Sequence, residues 1–473
     1  MLDYGYLAPA MFAGLICFLL IGFPVTFSLM ALGLSFGLVA IEVGYFELAF
    51  LQALPYRVFG IMANDLLLAI PFFTFMGVIL ERSGLAEDLL EGIGQAFGKV
   101  PGGLAYAVII VGAILGAITG TVAASVIAMG MISLPVMMKY GYDMKIATGS
   151  IAASGTITQV IPPSLVLIVL ADQLGVSVGD MYLGAIGPSL AQVAIFMLFI
   201  LMVSILAPRR VPALPPEART LQGARLVWTI IRGVVPSLAL IFLVLGTIFL
   251  GLATPTEAGA MGVVGAMALA VANRRLTPAL LWSAMDQTMR ITAMVVFILL
   301  GATVFSLVFQ GVNGGRWIEH LLSHIPGGAV GFLIFVNVFI FFIAFFLDFF
   351  EIVFIVVPLL VPVAISLDIN LIWFGLLLCV NMQTAFMHPP FGFALFYLRG
   401  IAPPEVKSRD IYLGSIPWIV LQLILVAALI FFPEMVTAFL TERTLLDDAA
   451  VNEALDQLTL PDLAPAPLDL DFD

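Results

Sequence analysis

Long apolar runs alternate with short polar intervals along this chain, and the run lengths predict the elements. Ten runs are long enough to span a bilayer, near 7–24, 25–43, 64–81, 146–172, 184–207, 236–253, 256–273, 291–311, 371–398 and 414–433; a crossing helix needs about 20 apolar residues. Two further blocks, 104–138 and 328–366, are too long for one crossing, and each precedes a run interrupted by a proline pair. They read as re-entrant hairpins, two half-helices that enter and leave by one face. Such backbone is tolerated at membrane depth only where protein or a water-filled cavity covers it. Segments 46–62, 83–99, 276–290, 313–324 and 403–412 carry too few apolar residues to cross and read as amphipathic pieces along the interface.

The pattern is duplicated. Pro101-Gly102-Gly103, Pro135 and Pro162-Pro163 recur 225 to 227 residues later as Pro326-Gly327-Gly328, Pro362 and Pro389-Pro390, with a last gap of 27 residues in both copies. Paired helix-breaking units in nearly uncharged apolar sequence are the pattern of a secondary transporter, whose binding site lies between two halves.

Composition identifies the solvent as lipid. The chain is 62% hydrophobic and 10% charged with mean hydropathy +1.17, against about 25% charged in a soluble domain. The first run, Leu7 to Val25, has no basic flank or clear cleavage site and reads as a retained transmembrane helix. Cys17 and Cys379 lie in apolar runs and read as small buried hydrophobes, not as a disulfide or a metal site. Of the net charge of −12, −9 comes from the tail beyond Phe432, so a basic surface for nucleic acid finds no support.

Charge also orients the chain. Ten spans and two non-crossing hairpins put both termini on one side. With that side outside, fifteen of the eighteen Lys and Arg residues are cytoplasmic and only Arg57, Arg316 and Arg443 remain outside, a positive-inside distribution. The spans preceding the two copies are the third and the eighth, so the repeat is inverted. The fold class is therefore an all-α polytopic membrane protein with an inverted repeat, two re-entrant helical hairpins and two discontinuous helices. Scaffold helices and an interfacial arm occupy 1–63, the first repeat 64–207, a cytoplasmic linker with scaffold helices 208–290, the second repeat 291–433, and an acidic tail with one short helix near 444–458 fills 434–473.

The proline pairs stop one helix and start another, because proline lacks an N–H, disfavours helix before it and suits a first turn. Each break frees carbonyls for a cation and turns half-helix N–H groups toward an anion. Ser154, Gln159, Pro162 and Ser164 at the first break, and His388 and Pro389 at the second, are the candidate substrate contacts. A proline kink without a ligand explains one break alone; two in register favour a site. At the hairpin tips, Thr119 and Thr121 offer hard oxygens for an alkali cation. Asp348 and Glu351 read either as cation or proton ligands or as a solvated tip. The stripe Gly112, Gly116, Gly120 reads as helix packing. No Lys or Arg falls within 104–138, 146–172, 328–366 or 371–398, so an anion there would be compensated by helix dipoles, co-bound cations or a basic residue elsewhere. Thr254-Pro-Thr-Glu257 is a capping-box helix start. Gly33-Leu-Ser35-Phe-Gly37 matches a serine-hydrolase pattern without its strand-to-helix elbow, and small-residue packing explains it better. His320 and His324, four apart without the zinc-protease Glu, read as an exposed helix face.

Gly116-Ala-Ile-Thr-Gly-Thr121, Ile161-Pro-Pro-Ser164, Gly251-Leu-Ala-Thr-Pro-Thr-Glu-Ala-Gly259 and Pro389-Pro-Phe-Gly-Phe-Ala-Leu-Phe396 together resemble the large membrane subunit of tripartite ATP-independent periplasmic (TRAP) transporters, from near residue 5 to about 433. The run from Phe391 to Gly400 is most similar to the branch labelled for mannitol or chloroaromatic compounds. The resemblance implies a bacterial inner-membrane importer of small organic anions, often carboxylates, and not an enzyme. It implies sodium as coupling ion with no other cofactor, a small four-helix membrane subunit and a periplasmic solute-binding protein as partners, and an elevator motion. It places cation ligands at Thr119, Gly120, Thr121, Gly155 and Thr156 for one site and at Asp348, Gln383 and Thr384 for the other. Two other functions stay open here: a self-sufficient ion-coupled carboxylate symporter and, more distantly, a membrane serine hydrolase using Ser35 and His388.

Overall fold

The computed structural model describes residues 5–440 except 324, 390 and 391. Helices α1 (Leu7–Ile21) and α2 (Val25–Val43) are followed by the short α3 (Leu48–Leu51) and α4 (Ala53–Met62). After a 46° bend come α5 (Asp65–Glu81) and then α6 (Leu85–Ala96). The block 104–138 is two helices, α7 (Gly103–Thr119) and α8 (Val122–Lys139). The next run is broken as expected, into α9 (Met144–Thr156), a 3-10 turn and α10 (Leu165–Leu174), before α11 (Val178–Leu206). α12 (Ala224–Phe249) and α13 (Pro255–Ala272) separate the copies. The second copy opens with α14 (Pro278–Gly311), α15 (Gly314–Ser323) and α16 (Gly328–Ile343). The returning leg is α17 (Phe349–Glu351), a π-helical turn and α18 (Val357–Ser366). The second broken helix is α19 (Leu371–Met382), a 3-10 turn and α20 (Phe393–Ile401), followed by α21 (Ser408–Phe431) and α22 (Glu434–Thr437).

Among the described residues there is no strand, and eight helices are long and apolar enough to cross a membrane, or nine if the bent pair Leu48–Met62 and Asp65–Glu81 is one span. The chain is an all-α multi-pass membrane protein. The broken helices reach spanning length only as two halves, which is why a length criterion passes over them.

Local chemistry sets the ends of these elements. Gly120 adopts a left-handed φ of +63°, which ends α7, and Thr121 is extended and starts α8. The base of this hairpin is closed, because the Leu104 N–H donates to the Tyr142 hydroxyl at 3.2 Å across 38 residues. The segment after α11 runs along that base: Gly102 N–H donates to Val211 O at 2.7 Å and Leu214 N–H to Gly98 O at 2.9 Å. In the second copy the legs diverge; α16 packs on α19, while the returning leg packs on α10, α14 and α15. Thr254 and Glu257 form the expected capping box.

The repeats interlock. α9 crosses α21 of the other copy where a Cβ on Gly149 would lie 2.2 Å from Gly414 O, so no larger residue fits without moving backbone. α11 reciprocally packs on α19, and Trp418 sits edge-on between Phe196 and Phe199 at 4.9 and 5.0 Å. α5 of the first copy packs against α13 and against α14 of the second, and α2 packs against α14. A Cβ on Gly33 would meet the Val304 carbonyl at 3.0 Å, and Ser35 is exposed, so the Gly-x-Ser-x-Gly run is a packing face.

Three expectations change. Residues 276–290 are not a separate interfacial piece, because Thr277 and Pro278 start a helix that runs unbroken through Gly311. Half of 403–412, from Ser408 onward, likewise belongs to the start of α21. In α14 no breaker follows the first turn, and Pro417 inside α21 does not end that helix, so backbone hydrogen bonding carries both onward. Cys17 is exposed on α1 and only Cys379 is buried, since an outer helix turns part of its apolar surface to lipid. Pro390, His324 and the tail from Thr441, including the helix expected near 444–458, lie outside the described residues.

Candidate functional site

Around the first break, the hairpin tip is held close by its glycines. A Cβ on Gly112 would fall 2.5 Å from Ser154 Cβ, and one on Gly116 would fall 2.8 Å from Thr158 Cα. Gly155 serves the other leg, where a Cβ would meet Val126 N at 3.1 Å. Gly120 and Thr121 line one narrow crevice with Pro163, Leu165 and Thr74 of α5. The Thr74 hydroxyl is buried there without a hydrogen-bond partner among the described residues. Thr119 ends α7 beside them.

The break itself is bonded largely to side chains. Ser164 caps α10, accepting from Val166 N–H at 3.2 Å, and its carbonyl accepts from Tyr182 at 3.4 Å. The Val160 carbonyl accepts from Ser189 at 2.9 Å, and the Gln159 carbonyl accepts from the Cys379 thiol at 3.8 Å. Ser154 and Thr156 donate back to Ile151 O and Ala153 O, both at 2.9 Å. The Gln159 side-chain oxygen is buried without a partner among the described residues. The Pro162–Pro163 peptide, at the restart, is cis.

At the second break, His388 is buried between Phe345, stacked at 4.2 Å, and Phe341, edge-on at 4.4 Å. Neither ring nitrogen has a hydrogen-bond partner among the described residues. Both phenylalanines belong to the second hairpin, so stacking joins the tip to the break. Pro389 is half-buried in the same turn. Asp348 and Glu351 form a reciprocal capping box: Glu351 N–H donates to Asp348 at 2.8 Å and Asp348 N–H to Glu351 at 2.9 Å. Asp348 lines a cavity of about 230 Å³ with Ala385, Phe386 and Phe393. Thr384 donates to Asn381 O at 2.7 Å, which leaves its oxygen lone pairs free.

The two breaks meet. Thr156 Oγ1 lies 3.9 Å from Met387 Sδ. Gln383 accepts from Gln192 at 2.6 Å and from Gln422 at 3.1 Å, and Gln422 also reaches Thr156 at 3.4 Å. Thr156 and Gln383 are 227 residues apart, the spacing that relates the proline pairs, so they are equivalent positions of the two copies. Gln192 and Gln422 each lie on the helix after a broken one. The sequence reading missed both, together with Asn337, although a lone amide inside an apolar span is a usable signal.

The arrangement therefore juxtaposes two unwound segments. Thr121, Thr156 and Thr384 each offer hydroxyl and carbonyl oxygens, donors of the kind that suits a hard monovalent cation. The Gln383 side chain lies within hydrogen-bond distance of Gln192 and Gln422. Asp348 can reach a cation only with the oxygen capacity its cap leaves free.

The family described as "Tripartite ATP-independent periplasmic transporter, DctM component" matches residues 12–435. The chain is 28% identical over 386 residues to the C4-dicarboxylate TRAP transporter large permease protein DctM of Pseudomonas aeruginosa, covering 81% of this chain and 88% of that one. It is 26% identical over 373 residues to the 2,3-diketo-L-gulonate TRAP transporter large permease protein YiaN of Escherichia coli, covering 78% and 85%. It is 26% identical over 409 residues to the isethionate TRAP transporter permease protein DctMQ of Oleidesulfovibrio alaskensis, covering 86% and 62%. Among solved structures it resembles the Alcanivorax borkumensis YdaH transporter with a TM-score of 0.56 at 16% identity, covering 91% of this chain and 98% of that one. That last likeness is one of fold.

Proposed function

The chain belongs to the DctM component family of tripartite ATP-independent periplasmic transporters, and we propose that it imports a small organic anion, a carboxylate by preference, by sodium-coupled symport. A periplasmic solute-binding protein delivers the anion and a small membrane subunit braces the permease. The names of the dicarboxylate, diketogulonate and isethionate relatives support the anionic class. This chain covers only 62% of the DctMQ relative, which leaves room there for a second component.

The observation that carries the reading is the meeting of the two breaks, in contact at Thr156 and Met387, in a region without Lys or Arg. An anion crossing there needs its charge balanced by half-helix N-termini and a co-bound cation. In this reading Thr119, Gly120, Thr121, Gly155 and Thr156 would hold one sodium ion. Asp348, Thr384 and backbone near Gln383 would hold another. Ser154, Gln159, Ser164 and His388 would face the anion between Pro162 and Pro389. The hairpins and broken helices would move as a unit against α2, α5, α13 and α14, with both chain termini periplasmic.

Reconstitution tests this. Vesicles holding this chain with its small subunit, binding protein and a sodium gradient should accumulate substrate, and vesicles holding the chain alone should not. Robust uptake by the chain alone would decide for a self-sufficient symporter.

A further inference from the structure

We propose that the groove between the end of α11 and the start of α21 holds one anionic phospholipid, with its phosphate on Lys145 and Arg210 and the start of an acyl chain along α11. The inference needs only that the chain spans a bilayer. It is independent of the substrate and of sodium coupling.

α11 runs for 29 residues and stops at Leu206, and α21 starts at Ser408. Both ends therefore lie where a crossing helix meets the membrane surface. Between them is a cavity of about 300 Å³, walled by Phe199, Met202 and Leu206 of α11 and by Leu413, Pro417 and Trp418 of α21. Trp418 is 1% exposed and held edge-on against Phe199 at 5.0 Å, so the inner wall is fixed. Met202 and Leu206 are 49% and 76% exposed, so the outer side opens onto lipid. An apolar groove at that depth is better filled by a hydrocarbon chain than by water.

The three charged residues of the groove, Asp143, Lys145 and Arg210, stand at its surface end. Asp143 is already engaged. One of its oxygens caps α9, accepting from Lys145 N–H at 2.9 Å, and the other lies 3.9 Å from Arg210 Nε. The Asp143 N–H also donates to Arg210 O at 2.8 Å. These contacts tie the turn after α11 to the first turn of α9 and set both basic side chains on one rim. The Lys145 ammonium has no hydrogen bond or ion pair among the described residues, and the Arg210 side chain makes only the long contact to Asp143.

Two cations against one carboxylate leave the rim positive. A phosphodiester supplies oxygens to both cations at once. Basic groups at the surface above an apolar groove repeat the order of a phospholipid, phosphate above acyl chain. A zwitterionic headgroup would bring its own cation toward Lys145 and Arg210, so the charge selects an anionic one.

Equilibrium binding to the purified permease in detergent tests this, with radiolabelled dioleoylphosphatidylglycerol, dioleoylphosphatidylcholine and glycerol phosphate as probes. The wild type should bind phosphatidylglycerol about tenfold or more tighter than phosphatidylcholine, and glycerol phosphate far more weakly than either. Lys145→Gln should weaken phosphatidylglycerol binding about fivefold, the effect of one basic residue at a membrane surface. Adding Arg210→Gln should remove the preference between the two lipids. Arg225→Gln, an exposed change at the start of α12 and outside the groove, should leave both affinities within about twofold of wild type. Val203→Trp, which fills the groove from α11, should weaken both lipids. If that variant does not fold, Lys145→Gln still decides, because its side chain is exposed. Equal binding of the two lipids by the wild type would overturn the inference, as would an equal loss in Lys145→Gln and Arg225→Gln. Glycerol phosphate bound as tightly as phosphatidylglycerol would make the rim a site for a soluble anion and overturn it too. Lipid binding untouched by a folded Val203→Trp would place the lipid elsewhere.

Discussion

Asn381, on the second broken helix, donates to both the backbone oxygen and the side-chain oxygen of Asn337 at 2.7 and 3.0 Å. Asn337 lies in the middle of α16 and in turn donates to Leu333 O at 2.8 Å. This clasp fixes the rising leg of the second hairpin to the helix whose break it overlies. Asn381→Leu should destabilise the purified permease by about 1–2 kcal/mol, the scale of interhelical polar contacts in membranes. Asn337→Leu with Asn381→Leu should cost less than the sum of the single changes. Thermal unfolding in detergent measures both, and strict additivity would dissolve the pair.

The first hairpin is seated on its broken helix by the absence of side chains. Gly112→Val must push Ser154 away, since even a Cβ there lies 2.9 Å from the Ser154 carbonyl. We expect a loss of about 3 kcal/mol or more, at the upper end of overpacking costs, and a sharp fall in folded yield. Gly60, within α4, has nothing within 4 Å of its built Cβ. Gly60→Ala should be neutral or stabilising by up to about 1 kcal/mol. Equal yields for the two variants would refute the close approach.

Thr156 and Thr121 carry the oxygen chemistry expected of the first cation site. Thr156→Ala should raise the sodium concentration for half-maximal uptake by roughly tenfold, about 1.4 kcal/mol of binding. Thr121→Ala should shift it in the same direction, and Thr156→Ser should restore most of the wild-type value because it keeps the hydroxyl. Superimposable sodium activation curves for both alanine variants would remove these residues from the site.

Orientation can be read chemically. In a background of Cys17→Ser and Cys379→Ser, single cysteines replace four exposed basic residues. Lys139→Cys and Arg209→Cys should react with an impermeant maleimide only after the cells are opened. Arg57→Cys and Arg316→Cys should react on intact spheroplasts. The reverse pattern would invert the topology.

By itself the sequence determined what short-range chemistry controls. Proline removes a donor and glycine admits a positive φ wherever they stand, so both hairpins and both breaks were legible, down to the restart at Ser164 and the turn at Gly120. Apolar run length did the same for the long crossing helices. The capping box of Asp348 and Glu351 is equally local, a carboxylate followed three residues later by Glu. Tertiary structure alone decided which polar groups pair across the fold. Gln192 and Gln383 are 191 residues apart, and Gln422 and Thr156 are 266 apart. No spacing rule links such positions; only the packing of α11 and α21 against the opposite repeat brings their amides together. That packing gathers Gln192, Gln383, Gln422 and Thr156 into one buried cluster, a grouping that composition and motif cannot express.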